Sequence, residues 1–237
     1  MNNLCVIPAR GGSKRIPRKN IKDFLGKPII SYSIEVAFSS GLFQEVMVST
    51  DDEEIANISE KFGAKIPFLR STKSADDFAT TMDVLKEVVY DYNEKFNKVF
   101  DYICCIYPTA PLVQTIDLIK GLNLLIEKDF DTVFPVVAFG YPVWRGFRFG
   151  NEGKTQMVWE EYKNARSQDL EKVFHDAGQW YWYNPLKVGD SLFTDNSTAI
   201  VLDEDRVQDI DTEIDWKLAE IKYELLQSTK KTSLYFR

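Results

Sequence analysis

The chain has 237 residues, of which 44% are hydrophobic and 27% charged, and its 29 basic and 36 acidic residues give a net charge of −7. This composition is typical of a globular protein and argues against a dedicated nucleic-acid-binding protein, which normally presents a basic surface. No apolar run approaches the roughly 20 residues of a membrane span. The N-terminal sequence MNNLCVIPARGG also lacks the pattern of a signal peptide. We therefore expect a cytoplasmic protein with neither a nucleic-acid partner nor a membrane partner.

Strands and helices alternate along most of the chain. Short apolar runs predict strands, and apolar residues at helical spacing predict helices. The predicted strands are 4–9, 45–50, 102–107, 131–139 and 198–203. The predicted helices are one that Pro28 opens, then 51–62, 80–92, 115–128 and 213–227, with a loosely held tail after Gln227. This alternation predicts a single α/β domain over 1–237, built as a three-layer, Rossmann-like, mostly parallel sheet with helices on both faces.

The alternation breaks at about residues 140–185, where aromatic residues are frequent and no helical period is visible. Short antiparallel strands or a projecting ribbon fit this insertion best. An aromatic-rich insertion is typical of a subunit interface, and extra local core is an equally good interpretation.

Cysteine and histidine usage limits the possible chemistry. Cys5, Cys104 and Cys105 are too few and wrongly spaced for a disulfide framework or a zinc ribbon, and we expect buried thiols in a reducing compartment. In a strand, Cys104 and Cys105 would point to opposite faces. His175 is the single histidine, which excludes a multi-histidine zinc site. Any metal should therefore be a hard cation held by carboxylates.

Residues 10–27 form a strongly basic loop that directly follows the first predicted strand. Its basic residues are Arg10, Lys14, Arg15, Arg18, Lys19, Lys22 and Lys27, opposed by Asp23. Such a loop on an acidic protein needs an anionic ligand or an anionic surface nearby; the alternative is a solvated basic loop. Gly11 and Gly12 would let backbone amides turn toward an anion, with Arg10 and Lys14 closing on phosphates. The spacing fits neither a P-loop nor a dinucleotide fingerprint.

Residues 203–215 form an acidic segment, DEDRVQDIDTEID. If this segment is extended, Asp209 and Asp211 share one face while Ile210 packs inward. Two carboxylates together with substrate phosphates are the usual Mg²⁺ ligands, so the pair predicts a magnesium site. Thr212 and Asp215 have capping-box spacing, which favours a helix cap over a metal ligand for Asp215. Residues 203–205 are expected to form a solvated turn.

Several motifs then match one family in the right order. The stretch IPARGGSKRIPRKN, followed by GKPII, closely resembles the N-terminal signature of CMP-sugar synthetases, the cytidylyltransferases that activate sialic acid-like sugars. The segments YPTAPL, RSQDL, DAGQWYW and DIDTEIDW are also similar to that family's motifs. Within the family, the sequence KRIPRKN of the first motif and the sequence FHDAGQWYW around DAGQWYW are most similar to the pseudaminic acid branch. The resemblance spans nearly the whole chain and implies a nucleotidyltransferase-type fold.

The resemblance implies a role for each matching residue. Those that would hold CTP are Arg10, Gly11, Gly12, Ser13, Lys14, Lys19, Asn20, Arg70 and Thr80. The match around Arg70 is looser, because Ser71 replaces a typical proline. Those that would face or shape the sugar pocket are Tyr107, Thr109, Arg166, Gln168, Asp169 and His175, with a structural role equally open for His175. Mg²⁺ would be bound by Asp209 and Asp211. The implied catalytic residues are Arg10, Lys14 and Asp211.

The implied reaction transfers CMP from CTP to the anomeric hydroxyl of a nine-carbon acidic sugar and releases pyrophosphate. Tyr107 stands where sialic acid synthetases have a glutamine, which favours pseudaminic acid over sialic acid. Sialic acid, legionaminic acid and the eight-carbon sugar Kdo remain alternatives, as does a non-catalytic nucleotide-binding module. The resemblance also implies a homodimer formed through the insertion, with Arg166 near a partner's site, and supply of cell-surface or flagellar glycans.

Overall fold

The computed structural model describes residues 1–76 and 78–235. The strands are β1 (Asn3–Pro8), β2 (Asp23–Phe24), β3 (Lys27–Pro28), β4 (Glu45–Ser49), β5 (Tyr102–Ile106), β6 (Thr132–Ala138), β7 (Phe147–Phe149), β8 (Thr155–Met157), β9 (Phe174–Asp176), β10 (Trp180–Tyr183) and β11 (Ser197–Leu202). The helices are α1 (Ile29–Ser40), α2 (Glu53–Lys61), α3 (Thr72–Ala75), α4 (Thr81–Phe96), α5 (Thr115–Glu127) and α6 (Glu213–Tyr235). Within these residues, no helix is both long and apolar enough to cross a membrane.

The main sheet has the strand order β11–β6–β10–β5–β1–β4, with β9 paired to β6. The pairs β1–β4, β1–β5 and β6–β11 are parallel. Strand β10 runs antiparallel between β5 and β6, and β9 is antiparallel to β6. The predicted mostly parallel sheet is therefore confirmed, and its two antiparallel strands, β9 and β10, come from the predicted insertion.

Helices cover both faces of this sheet, as predicted for three layers. On one face, Cys104 packs with Ile34 of α1, Ile55 of α2 and Leu118 of α5. On the other face, Cys105 packs with Leu85 and other residues of α4. Each thiol is fully buried and free of disulfides, and burial raises its pKa well above the ordinary value for cysteine. The expected alternation of the two cysteines across the sheet is confirmed.

Local side-chain hydrogen bonds explain where several helices begin. The Asp52 carboxylate accepts the Ile55 amide at 3.0 Å, which makes Asp52 the N-cap of α2. Thr80 and Asp83 form a reciprocal capping box at the start of α4. The last helix differs from its prediction, because α6 continues past Gln227 to Tyr235. The final two residues of the predicted tail, 236–237, lie outside the described residues.

The predicted insertion divides into two parts with different positions. Its first part carries a small hairpin of β7 and β8, outside the main sheet, beside a cluster of Trp144, Trp159 and Tyr162. Its second part returns to the main sheet as β9 and β10, and the four residues of β10 are buried. The expected short antiparallel strands are therefore present, and the residues from Ala177 to Tyr183 help to build the core.

Candidate active site

The basic loop begins at the carboxyl end of β1, in the interior of the parallel part of the sheet. Ligands of open α/β sheets bind beyond the carboxyl ends of the strands. The buried Asn20 donates its side-chain amide to the Arg10 carbonyl at 2.9 Å and so ties the two ends of the loop's first part together. The loop is thus fixed at the edge where a ligand is expected.

Gly11 is required by a close approach to α2. An added Cβ atom would lie 2.7 Å from Asp52 Oδ2, and the Gly11 amide donates to Asp51 Oδ1 at 3.0 Å. The amide that was predicted to face an anion therefore faces a carboxylate of the chain itself. Gly12 is exposed, and a Cβ there would meet open space.

Much of the loop's positive charge is balanced by acidic side chains of neighbouring helices. Arg18 binds Asp52 through two hydrogen bonds of 2.5 and 2.9 Å and also contacts Glu54, while Lys22 binds Glu213 of α6 at 2.6 Å. The Arg18 guanidinium lowers the pKa of Asp52 to about 2. An anionic ligand or an anionic surface was expected beside the loop. The structure shows an anionic surface, which is formed by the starts of α2 and α6.

A cavity of about 320 Å³ lies beside the loop and is basic. Its lining includes the cationic residues Arg10, Lys19 and Arg70 and the acidic residue Asp76. The remaining lining residues are Pro8, Ser13, Asn20, Ser74, Ala79, Thr80, Thr81, Val84, Tyr107, Pro108 and Thr109. Six of the nine residues predicted to hold CTP line this cavity, and Gly11, Gly12 and Lys14 do not.

Arg70 is the most buried cation of this cavity, with 8% of its surface exposed. Its Nε atom donates to Ser49 Oγ at 3.1 Å and its Nη2 atom donates to the Ser49 carbonyl at 2.5 Å. Burial lowers the pKa of Arg70 below the ordinary arginine value. Because an arginine stays protonated even so, the cavity holds a fixed buried positive charge that an anionic ligand would neutralise.

A second cavity, of about 610 Å³, is acidic. It is lined by the carboxylates of Asp176, Glu204, Asp209, Asp211 and Asp215. Lys222 and His175 also line it, and Lys222 donates to the carbonyls of Glu204 and Val207 at 2.9 and 2.7 Å. This arrangement suits a cation or a ligand rich in hydrogen-bond donors.

The acidic pair has the alternation that the sequence predicted. Ile210 is 1% exposed and packs with Ile16 and Trp216, while Asp209 and Asp211 both line the second cavity. Partial desolvation, followed by the charge of Asp211, raises the pKa of Asp209 above its ordinary value. Burial is the larger cause of this shift, and the negative charges of Asp211 and Asp215 add to it; a bound cation would relieve that repulsion.

Asp215 acts as a helix cap. Its Oδ2 atom accepts the Thr212 amide at 2.7 Å, and its own amide donates to Thr212 Oγ1 at 3.3 Å, the reciprocal pattern of a capping box. Among the described residues, no three His, Cys, Asp or Glu side chains form a metal-binding group. Asp209 and Asp211 supply two carboxylates to one cavity, and carboxylates are the protein ligands that Mg²⁺ takes together with substrate phosphates.

Tyr107 lines both cavities. Its amide donates to the Gln179 carbonyl at 2.8 Å and its carbonyl accepts Ser33 Oγ at 2.7 Å, so its backbone is fixed between β10 and α1. The two cavities also approach each other where Lys19 Nζ lies 3.6 Å from Asp211 Oδ1. A reaction that joins a ligand of one cavity to a ligand of the other would occur at this junction.

Comparison with known proteins identifies the family of the chain. A sequence model of the family described as cytidylyltransferase matches residues 4–232. The chain belongs to the cytidylyltransferase family. It is 43% identical to the pseudaminic acid cytidylyltransferase of Campylobacter jejuni, over 95% of this chain and 97% of that protein. It is 30% identical to the CMP-N,N′-diacetyllegionaminic acid synthase of Legionella pneumophila, over 96% and 98% of the two chains.

The fold is shared with a more distant member. The solved structure of a CMP-2-keto-3-deoxy-manno-octonic acid synthetase complexed with CTP superposes with a TM-score of 0.67 at 19% identity, over 96% of this chain and 100% of that one. At this identity the likeness concerns the fold, which is the predicted nucleotidyltransferase type.

Not all predicted site residues of this cytidylyltransferase lie at the cavities. Lys14 is exposed on the basic loop and is not among the described residues that line either one. Thr109 lies at the basic cavity, and His175 lies at the acidic one. Arg166, Gln168 and Asp169 are exposed around a short turn at Ser167–Asp169, away from both cavities within one chain.

Three features of the site were not predicted from the sequence. Arg15 Nη1 binds Asp211 Oδ2 at 2.7 Å. The Tyr181 hydroxyl donates to Asp176, which lines the acidic cavity. Arg206, in the turn before the acidic pair, forms an ion pair with the buried Asp117 at the start of α5. In the sequence, Arg15 is visible as one charge of the basic loop and Asp176 as part of a motif, but nothing there indicates their partners. Arg15 and Asp211, for example, lie 196 residues apart along the chain.

Proposed function

We propose that this cytidylyltransferase transfers CMP from CTP to the anomeric hydroxyl of the nine-carbon sugar pseudaminic acid and releases pyrophosphate. The observation that carries the proposal is the meeting of a basic and an acidic cavity at Tyr107 and at the Lys19–Asp211 contact. The 43% identity to a pseudaminic acid cytidylyltransferase over nearly the whole of both chains supports the choice of sugar. Legionaminic acid is the second candidate, supported by the 30% identity reported above.

The basic cavity is the proposed CTP site. Arg10, Lys19 and Arg70 supply charge for the phosphates, and Ser13 and Asn20 of the loop also line the cavity. Charge-assisted hydrogen bonds to phosphate are the strong ones in proteins. Lys14, on the same loop, is proposed to close on the phosphates from its exposed position. Thr80, at the start of α4, would contact the nucleoside.

Mg²⁺ is the proposed cofactor, held by Asp209 and Asp211. Bound there, it would polarise the α-phosphate and neutralise its charge. The protein's own contribution is positioning. Arg10 and Lys14 hold the triphosphate while the anomeric hydroxyl oxygen bonds to the α-phosphorus and releases its proton to water, and the pyrophosphate leaves with the electron pair of the broken bond. Such a transfer requires no protein nucleophile, which agrees with the single histidine of the chain.

The acidic cavity is the proposed sugar site, with Tyr107 and His175 at its wall. A sugar carboxylate bound in this cavity needs a cation, and Lys222 is already bound to two carbonyls.

For this reason we propose a cytoplasmic homodimer in which the exposed turn with Arg166, Gln168 and Asp169 approaches the site of the second copy. Exposed aromatic residues support this surface: Tyr141 is 88% exposed and Phe149 is 82% exposed.

The test is pyrophosphate release from CTP and Mg²⁺ with pseudaminic, legionaminic, sialic and Kdo sugars in parallel. Release with pseudaminic acid alone is the expected result. Release with another sugar only would support the proposed CMP transfer and would refute pseudaminic acid as the substrate. No release with any sugar, from folded protein that still binds CTP, would favour a non-catalytic nucleotide-binding module.

Two pairs of variants test the assigned residues. Lys14→Ala should abolish most turnover, whereas Lys154→Ala, an exposed lysine of the small hairpin, should not. Asp211→Asn should change the Mg²⁺ dependence, whereas Asp205→Asn, exposed in the same acidic segment, should not. Normal turnover of Lys14→Ala, or unchanged Mg²⁺ dependence of Asp211→Asn, would remove that residue from the mechanism.

A further inference from the structure

Arg15 lies at the junction of the two cavities although it lines neither of them. Its Nη1 atom is 2.7 Å from Asp211 Oδ2, and Lys19 Nζ is 3.6 Å from the other oxygen of the same carboxylate. The Lys19 ammonium also donates to the Ile210 carbonyl at 2.7 Å, so Lys19 is anchored independently of Asp211. The Arg15 side chain is 68% exposed, and Asp211 is its ion-pair partner within residues 1–76 and 78–235.

A divalent cation held by Asp209 and Asp211 would compete with Arg15 for the same carboxylate. A metal ion and an arginine on the same carboxylate share its negative charge, and their like charges repel at this distance, so each weakens the binding of the other. The ion pair is partly exposed, since Asp211 is 34% exposed, and exposed pairs of this kind are weak. Metal binding can therefore displace Arg15 at modest cost.

The displaced guanidinium has one strong alternative partner close by. Arg15 follows Ser13 by two residues on the loop, and Ser13 lines the basic cavity. A triphosphate placed between Lys19 and Asp211 would bring anionic oxygens to the position from which Arg15 is displaced. The planar guanidinium is suited to bind phosphate with two hydrogen bonds.

We propose that Arg15 is a further phosphate-binding residue, which the ion pair with Asp211 holds at the junction until a divalent cation takes that carboxylate. The inference rests on the proposed function, because it assumes the metal pair and the CTP site. It predicts opposite effects of one substitution on two ligands: removal of Arg15 strengthens metal binding and weakens CTP binding. A purely structural arginine would weaken both or neither.

The experiment uses the full chain and two binding measurements without turnover. Binding of Mn²⁺ alone is followed by electron paramagnetic resonance of the free ion, and CTP binding at saturating Mg²⁺ by calorimetry. Arg15→Met should bind Mn²⁺ about two- to fivefold more tightly, the worth of an exposed ion pair, and CTP about tenfold or more weakly, as expected for a charged hydrogen bond. The affinities of Arg15→Lys for Mn²⁺ and for CTP should both lie between those of Arg15→Met and the wild type.

The matched control is Lys22→Met, which removes a cation of the same loop that pairs with Glu213. It should leave the Mn²⁺ affinity at the wild-type value. The proposal is overturned if Arg15→Met binds Mn²⁺ no more tightly than Lys22→Met does, or if it retains wild-type CTP affinity. Both results stand apart from the proposed function, because the wild-type protein's pyrophosphate release is measured separately. Unchanged thermal unfolding confirms that each variant is folded.

Discussion

The hydroxyl oxygen of Tyr107 lies 3.0 Å from Thr81 Oγ1. Tyr107 directly follows β5, and Thr81 is the first residue of α4. The contact therefore joins the carboxyl end of a central strand to the start of the helix that borders the basic cavity, and both residues line that cavity. Burial raises the pKa of Tyr107, so the phenol stays protonated at neutral pH and can take part in this hydrogen bond.

The first prediction concerns this hydrogen bond. Tyr107→Phe and Thr81→Val should each lower kcat/KM about fivefold, because a typical hydrogen bond contributes about 1 kcal/mol. The double variant should be no worse than either single one, since both remove the same contact. The measurement is steady-state pyrophosphate release by the wild type, the two single variants and the double variant. Tyr90→Phe, an exposed tyrosine of α4, is the control. Additive losses in the double variant would show that the two hydroxyls act separately.

The second prediction concerns Arg70 as the fixed buried charge of the CTP site. Arg70→Met should weaken CTP binding by about tenfold to a hundredfold, because it removes a charge-assisted hydrogen bond from a desolvated position. Arg70→Lys should retain part of the affinity. Ser49→Ala, which removes one acceptor of the Arg70 side chain, should have a smaller effect. Calorimetric titration with CTP measures all three variants. Wild-type affinity in folded Arg70→Met protein would place the phosphates elsewhere.

Much of the fold could be predicted from the sequence, because apolar runs and helical periods report burial directly. The alternation of Cys104 and Cys105 and the inward position of Ile210 follow from strand geometry alone. The position of strand β10 inside the main sheet was not predicted, because its four residues, Trp180–Tyr183, are all aromatic and buried and show no alternation. Its place between β5 and β6 depends on pairing across more than 45 residues of chain.

The candidate site could be predicted less completely than the fold. Residue types and order indicated the basic loop and the acidic pair, because both are local in the sequence. The pairing of Arg18 with Asp52 and of Arg15 with Asp211 is a product of the tertiary structure. Local charge counting predicted an anionic ligand or an anionic surface beside the loop, and the structure shows that part of the loop's charge is balanced by the protein itself.

The third prediction follows from the Arg18–Asp52 pair. The pKa of Asp52 is lowered to about 2, so between about pH 4 and pH 2 the unfolded chain binds more protons than the folded one. The stability that this pair provides is therefore present above about pH 4 and is lost as the pH falls toward 2. Arg18→Met should cost about 1 kcal/mol near neutral pH, a value reduced for solvent screening.

The measurement for this pair is urea unfolding of the wild type and Arg18→Met across that pH range. The difference between the two proteins should decrease as the pH falls and should vanish near the folded-state pKa of Asp52. Lys65→Met, which removes a cation from the more buried Glu45, provides a comparison at another carboxylate. A difference between wild type and Arg18→Met that stays constant with pH would show that Arg18 stabilises the fold by packing alone.

The last prediction concerns Gly121, where α5 crosses the aromatic strand β10. A Cβ atom at this position would lie 2.6 and 2.7 Å from Cη2 and Cζ3 of Trp180 and 3.0 Å from Cδ1 of Trp182. Both indoles are fully buried, so neither ring can move into solvent. Gly121→Ala gains up to about 1 kcal/mol of helix propensity but overpacks this contact at a cost of about 1–3 kcal/mol. The free energy of unfolding in urea should therefore fall. Asn123→Ala, at an exposed position of the same helix, should raise it slightly, and a Gly121→Ala protein at least as stable as wild type would contradict the close packing.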